Sequence, residues 1–230
     1  MTEIIQQGLA AFGLDPAAAP VLARYGQLLL EKNQVMNLTA ITEPAQVATL
    51  HMLDCAALAS HWDLTGKRLI DVGTGAGFPG VVLRVLVPSL RVTLLDSLQK
   101  RLTWLEELSE ALELSEIHTL HGRAEEPGAL RERFDIATAR AVADLSVLCE
   151  LCLPYVAAGG LFLAMKGVDS EAEISRAKNA IRLLGGRIES VWDYDIPGTK
   201  VAHRVVAIRK TSSTPPKYPR RFAQIKKQPL

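Results

Sequence analysis

Four glycines stand within eight residues in the stretch Leu69-Ile70-Asp71-Val72-Gly73-Thr74-Gly75-Ala76-Gly77-Phe78-Pro79-Gly80, and an acid precedes the first of them by two positions. Entered from an apolar run and left through Val81-Val82-Leu83, the stretch predicts a buried strand, a tight turn and a helix with Pro79 in its first turn. Glycine permits positive φ and close approach of a ligand to the backbone, so this reads as a ligand-binding turn. Its chemistry depends on the register. Gly75-x-Gly77-x-x-Gly80 satisfies a dinucleotide fingerprint, with Asp96 placed 21 residues beyond Gly75 to meet a ribose hydroxyl. Asp71-x-Gly73-x-Gly75-x-Gly77 instead sets a carboxylate at the strand end, where it opposes a diphosphate and favours the cationic amino-acid part of S-adenosylmethionine. The second register is favoured.

The elements that must position these residues begin at Gly66, where the rhythm becomes strand then helix. Segments 69–72, 92–95, 117–120, 134–139 and 160–165 read as strands, and 81–87, 98–112, 144–153 and 171–184 as helices, which implies a parallel sheet covered on both faces. The helix at 98–112 would turn Leu98, Leu102, Leu105, Leu108 and Leu112 to the core. Segments 187–195 and 202–208, joined through Pro197-Gly198, resemble a closing hairpin that makes the far edge antiparallel. Ligands of open α/β sheets bind beyond the carboxyl ends of the strands, where Asp71, Asp96, Glu125 and Arg140 all fall.

Ahead of this domain, residues 17–32 carry one apolar helical face, and 33–37 breaks the pattern. Thr42 can cap a second helix with Pro44 in its first turn. His51 and Asp54 fall close to its inward stripe, three positions apart, where they can meet each other or a ligand, or fasten this cap to the body. The division expected is a helical extension at 1–65 packed on the same domain, the main domain at 66–210 and a tail at 211–230.

A chain of 230 residues needs only one α/β core. No basic and apolar leader opens it, and its longest uncharged apolar stretch, 151–165, is interrupted by Pro154 and Gly159-Gly160, so neither a secretory signal nor a membrane span is expected. Cys55, Cys149 and Cys152 form no even framework, which fits a reducing cytoplasm. The formal charge of +1 hides an asymmetry: seven basic residues and no acid lie in 209–230, leaving 19 basic against 25 acidic side chains in the rest. An acidic body with a cationic arm suits a polyanionic partner, such an arm supplying affinity through phosphate neutralisation.

Cys149-x-x-Cys152 has no second Cys/His pair at zinc spacing and lies on an apolar helix, so no metal is expected there. Neither thiol occupies an electropositive turn, which argues against a cysteine nucleophile. The strand end Asp135-Ile-Ala-Thr-Ala-Arg140 lacks the Asp/Asn-Pro-Pro-aromatic turn associated with methylating exocyclic base amines. A ring nitrogen with a free lone pair needs no such acceptor. An NAD(P)-dependent oxidoreductase and a non-catalytic RNA-binding module are the rival classes.

Asn37-Leu-Thr-Ala-Ile, His51-Met-Leu-Asp54, the glycine loop with Phe78-Pro-Gly, Leu94-Leu-Asp-Ser-Leu-Gln-Lys-Arg101, Ala139-Arg-Ala, Met165-Lys-Gly167 and His203-Arg-Val-Val occur in order, and together they resemble the RsmG (GidB) family of bacterial small-subunit rRNA guanine-N7 methyltransferases. Lys32 and Cys55 depart from residues common in that family, an aromatic and a serine. The resemblance implies a class I S-adenosylmethionine-dependent methyltransferase fold: Rossmann-like α/β, with a mostly parallel seven-stranded sheet, an antiparallel edge strand and an N-terminal helical cap. It implies a cofactor touching Gly73 and Phe78, Asp96 meeting the ribose, Ala124 and Glu125 flanking the adenine, and Arg140 closing the pocket toward 16S rRNA or the small ribosomal subunit. Lys100, Arg101, Arg123, Lys166 and Arg204, with Lys217, Arg220 and Arg221 of the tail, become candidates for phosphate or guanine contacts, and Arg140 and Lys166 for positioning the acceptor.

Overall fold

The structure, a computed structural model, describes residues 1–140 and 143–230; Ala141, last residue of the Ala139-Arg-Ala motif, lies outside them. Strands β1 (Arg68–Val72), β2 (Arg91–Asp96), β3 (Ile117–His121), β4 (Phe134–Arg140), β5 (Val156–Gly167), β6 (Gly186–Asp195) and β7 (Ala202–Lys210) form one sheet in the order β3-β2-β1-β4-β5-β7-β6. The first five pair in parallel, and β7 inserts antiparallel between β5 and β6. The order reverses between β1 and β4, which opens a crevice beyond their carboxyl ends. β5 begins four residues earlier than the apolar run suggested, because Gly159, at φ +82°, lets the strand re-register against β4 between Phe134 and Ile136.

Strand alternation sorts the core into two layers. Leu69, Val92, Leu94 and Ile136 pack under the N-terminal helices, while Ile70, Leu95, Ala137 and Phe162 pack on the opposite face. Helices α1 (Thr2–Ala11), α2 (Ala19–Met36), α3 (Pro44–Val47), α4 (Asp54–His61), α5 (Gly80–Leu86) and α6 (Gln99–Ala111) contribute to the first layer. Helices α7 (Leu145–Cys152), α8 (Glu171–Leu183) and α9 (Phe222–Lys227) contribute to the second.

Several local expectations are corrected. Ahead of the helix expected over 17–32, α1 buries Ile5, Gly8 and Leu9 on one face, and at Gly8 Leu53 presses so closely that a Cβ would overlap it. α2 continues through Asn33 and stops at Asn37 in the left-handed region, because Asn33 Oδ1 turns inward to accept from the Leu38 and Thr39 amides. Thr42 caps nothing; Glu43 precedes Pro44 in extended conformation, and helix then runs to His61 through a wider π-helical turn at Ala48–Leu53. Pro79 is the N-cap of α5 instead of lying in its first turn. Leu98, expected in the core, is exposed at the N-cap of α6.

The tail is no free arm. Tyr218 and Ile225 are buried, the Arg131 guanidinium donates to the carbonyls of Thr214, Pro215 and Tyr218, and Arg220 pairs with the fully buried Glu150 of α7. Lys210 is buried too, donating to Glu132, Leu153 O and Thr214 Oγ1.

α5 approaches β1 closely enough that a Cβ on Gly80 would stand 2.6 Å from Leu94 Cδ2 and 2.9 Å from Asp71 Oδ2. Gly80→Ala is expected to lower stability by about 1–3 kcal/mol. Urea denaturation reads the loss, and an unchanged midpoint would mean that the helix can back away from the strand.

Candidate active site

The glycine loop is held from beneath. Asp71, at the end of β1, is fully buried, and its Oδ2 accepts from Thr74 Oγ1 at 2.7 Å and from the Gly80 amide at 2.9 Å. Its carboxylate therefore ties the two ends of the turn together and does not line a cleft, contrary to the ligand role expected of it. Oδ1 has no hydrogen-bond partner among the described residues. Gly77 is likewise turned inward at φ +99°, with Tyr25 Oη, Leu105 and Val81 within 2.8 Å of where a Cβ would sit. A dinucleotide register needs that glycine open to a diphosphate, and here protein covers it. Tyr25 also donates to Ala76 O at 2.6 Å, so α2 is fastened to the turn.

Phe78, expected to touch the cofactor, has a buried side chain. Its ring stacks between Tyr25, with centroids 5.1 Å apart, and His51, 4.6 Å apart. The Arg140 guanidinium lies 4.8 Å from the same ring centroid.

Above the loop, a cleft of about 470 Å³ is lined by Val72, Gly73, Leu95, Asp96, Ser97, Arg101, Gly122, Arg123, Ala124, Glu125, Arg140, Leu148, Leu151 and Phe222. Gly73 and Gly75 have φ of +72° and +58°, in the left-handed region that favours glycine. Asp96 closes the end of β2, accepting from the Gly75 amide at 3.0 Å, the Leu98 amide at 2.9 Å and Arg101 at 3.4 Å. A second cleft, of about 440 Å³, is lined by Ile41, Leu50, His51, Asp54, Arg140, Met165, Lys166, Gly167, Val201 and His203. Arg140 is common to both.

That guanidinium is built into the wall between the clefts. Nη1 donates to Leu50 O at 3.0 Å and to Asp54 Oδ2 at 3.1 Å, and Nη2 donates to His51 Nδ1 at 2.9 Å. An arginine has no lone pair to offer, so Nδ1 must be unprotonated and Nε2 carries the proton toward Thr39 Oγ1, 2.8 Å away. His51 and Asp54 thus meet through Arg140. Asp54 Oδ1 completes its shell with Tyr194 Oη and His203 Nδ1, each at 2.7 Å.

Among the cations singled out from sequence, Lys100 and Arg123 are exposed and Arg101 and Arg123 face the first cleft. Lys166 lines the second, held by Ala143 O at 2.8 Å and Glu173 at 2.5 Å. Arg204 is already neutralised by a two-pronged pair with Asp193 and a bond to Glu171, which removes it as a phosphate contact. Arg220 is consumed in the same way by Glu150, whereas Lys217 and Arg221 remain exposed. Leu148, Leu151 and Phe222 are cleft residues that sequence reading missed. The signal for them was Glu150, one acid inside the apolar run Leu145-Ser-Val-Leu-Cys-Glu-Leu-Cys, which demands a cation from elsewhere.

Electrostatics follow from this packing. Burial, with the Arg140 charge, lowers the His51 imidazole to about 4, so it is a neutral acceptor and not a base. Burial alone would raise the Asp54 carboxyl, but the bonds from His203 and Tyr194 and the charge of Arg140 outweigh it and hold the group below its usual range. His203 is raised by its hydrogen bond to Asp54. Burial pushes Asp71 up to about 6 against its bonds from Thr74 and Gly80. Burial also pushes all three thiols upward, which leaves no thiolate nucleophile at neutral pH. Among the described residues there is no group of three or more His, Cys, Asp or Glu that could hold a metal ion, and no helix long and apolar enough to cross a membrane.

The family model GidB, rRNA small subunit methyltransferase G, matches residues 19–197. The ribosomal RNA small subunit methyltransferase G of Acetivibrio thermocellus is 42% identical over 100% of this chain and 97% of its own length. That of Alkaliphilus metalliredigens is 44% identical over 95% and 93%. Among solved structures, a SAM-dependent O-methyltransferase of Thermotoga maritima superposes with a TM-score of 0.55 at 16% identity, covering 81% of this chain and 73% of that one; this likeness is one of fold.

The tautomer of His51 is open to measurement. Above its ordinary value of 6.5 the imidazole is neutral folded and unfolded; between 6.5 and about 4 only the unfolded chain takes the proton, so stability falls with pH by on the order of 3 kcal/mol. Asp71 and His203, both raised, act in the opposite direction, so the informative quantity is a difference. The stability deficit of His51→Asn relative to wild type should shrink as pH falls through this window. A constant deficit in urea denaturation would contradict a neutral, acceptor His51.

Proposed function

The chain belongs to the rRNA small subunit methyltransferase G family, and from that premise we propose that it transfers a methyl group from S-adenosylmethionine to N7 of a guanine in 16S ribosomal RNA, in the cytoplasm. The observation that carries the reading is Arg140, one nearly buried cation shared by two clefts of comparable size. A methyl donor and its acceptor need adjoining sites with a common opening, and the first cleft suits the donor.

The cleft residues fit S-adenosylmethionine. Gly73, Ser97, Gly122 and Ala124 leave room along its wall, Asp96 offers carboxylate oxygen to a ribose hydroxyl, and a volume near 470 Å³ is of the right order. Gly73 would present backbone to the amino-acid portion, and Ala124 and Glu125 would flank the base. Bound there, the cofactor supplies an electrophilic methyl on a sulfonium centre.

The protein's part is then chiefly geometric. Guanine N7 has a free lone pair and loses no proton before attack, so no general base is needed. His51, with both ring nitrogens engaged, accordingly provides none. Guanine presents O6 beside N7 on its major-groove edge, and a cationic donor near O6 would orient the base while leaving N7 free. Arg140 and Lys166 are the donors on that side. Holding the partners in line is worth up to about 7–11 kcal/mol in favourable cases.

Transfer of labelled methyl from the cofactor to rRNA or to small subunits by the pure protein tests the reading, with the modified nucleotide mapped afterwards. Arg140→Ala should reduce transfer at saturating RNA by roughly 100-fold. Methylation of an exocyclic amine or of carbon 5 would overturn the N7 assignment, and no transfer at all would leave an RNA-binding module.

The outward cations of the tail, Lys217, Arg221, Lys226 and Lys227, are proposed as phosphate contacts together with Lys100, Arg101 and Arg123. Replacing those four tail residues by glutamine should lower the log–log salt slope of RNA binding by roughly 3 to 4 units. Substitution is preferred to truncation because Tyr218 and Ile225 belong to the core. An unchanged slope would mean that RNA approaches elsewhere.

A further inference from the structure

Phe222 is one of the few large apolar side chains that remain exposed, at 38%, and it stands in the wall of the first cleft. It is the one aromatic ring among the described residues that line that cleft. Its position is imposed from both sides. Upstream, Glu150 Oε1 accepts from the Arg220 amide at 2.8 Å and from its Nε at 2.9 Å, while Oε2 accepts from Nη2 at 2.6 Å. Downstream, Ile225 is fully buried. Glu150 lies on α7, and its neighbours Leu148 and Leu151 face the same cleft, so the helix that anchors the tail also shapes the pocket.

We propose that Phe222 binds the adenine base of the methyl donor, making the C-terminal segment a wall of the cofactor site; this rests on the reading of the first cleft as the donor site. The methionine end of that ligand carries a carboxylate, which the negative face of a phenyl ring repels, beside an ammonium to which the ring offers only a cation–π contact. Adenine has a flat π-face, and Leu148, Leu151, Ala124 and Phe222 provide a largely apolar surround for one. Anchoring the ring through Arg220 and Ile225 places it before the ligand arrives, which reduces the ordering cost of binding.

Calorimetric titration of the full chain with S-adenosylhomocysteine and, separately, with adenosine tests this. Phe222→Ala should weaken both ligands by the same factor, roughly 5- to 100-fold by analogy with base stacking on aromatic side chains. Phe222→Tyr should restore both, and the ligand-free melting temperatures should stay close to that of wild type because the ring is partly exposed. If Phe222→Ala weakened S-adenosylhomocysteine but not adenosine, the ring would serve the sulfur or amino-acid end and the assignment to adenine would be wrong. If wild type bound both and the variant bound them equally well, Phe222 would be no part of the site. If wild type bound neither, the donor-cleft reading itself would fall, and this inference with it.

Discussion

A guanidinium that is nearly buried must have its charge answered from within the fold, and for Arg140 the answer comes from outside the sheet that carries it. β4 delivers the residue to the crevice, but its acceptors are Leu50 O, His51 Nδ1 and Asp54 Oδ2, all in the N-terminal helical region. Leaving a buried cation without these partners is strongly destabilising, so the helical region is bound to the site as firmly as the strands are. The π-helical turn at Ala48–Leu53 presents Leu50 O and His51 to the guanidinium, with Asp54 immediately after it.

The same logic extends outward through shared atoms. Asn33 folds the 37–39 turn, Thr39 accepts from the His51 Nε2 proton that Arg140 leaves on that side, and Asp54 is completed by Tyr194 and His203 from the far hairpin. Phe78 joins this network to the glycine loop by stacking on Tyr25 and His51 under the guanidinium. Loop, helices and hairpin thus converge on one cation, which lies where the two clefts meet. Disturbance at any of them should reach Arg140 through Asp54, His51 or Phe78, which touch it.

Charge in the tail is divided between structure and surface. Lys210, the last residue of β7, and Arg220 of the tail are spent on Glu132 and Glu150, and burial lowers the Lys210 ammonium against the pull of Glu132. These pairs lie within the fold, where a missing partner costs several kcal/mol, so they dock the segment. The cations left outside are screened by solvent and stabilise little, which frees them for a polyanion.

Local pattern alone was enough to specify the alternation of strand and helix, the parallel sheet with its antiparallel far edge, the glycine turn, and the acids and arginine at strand ends, because those features depend on periodicity and backbone propensity over a few residues. What each polar group does was decided by contacts distant in sequence. Asp71, a ligand contact by its place at the strand end, and Phe78, one by family resemblance, both have buried side chains, Asp71 bonded to the Gly80 amide and Phe78 stacked on Tyr25. Arg204 and Arg220 read as free cations until Asp193 and Glu150, 11 and 70 residues away, claim them. Phe222 reads as an unremarkable tail residue until the Glu150 carboxylate pulls its neighbour down beside α7. Whether a charge is exposed, paired or desolvated is a property of its neighbours in space, and a linear pattern records only its neighbours in the chain.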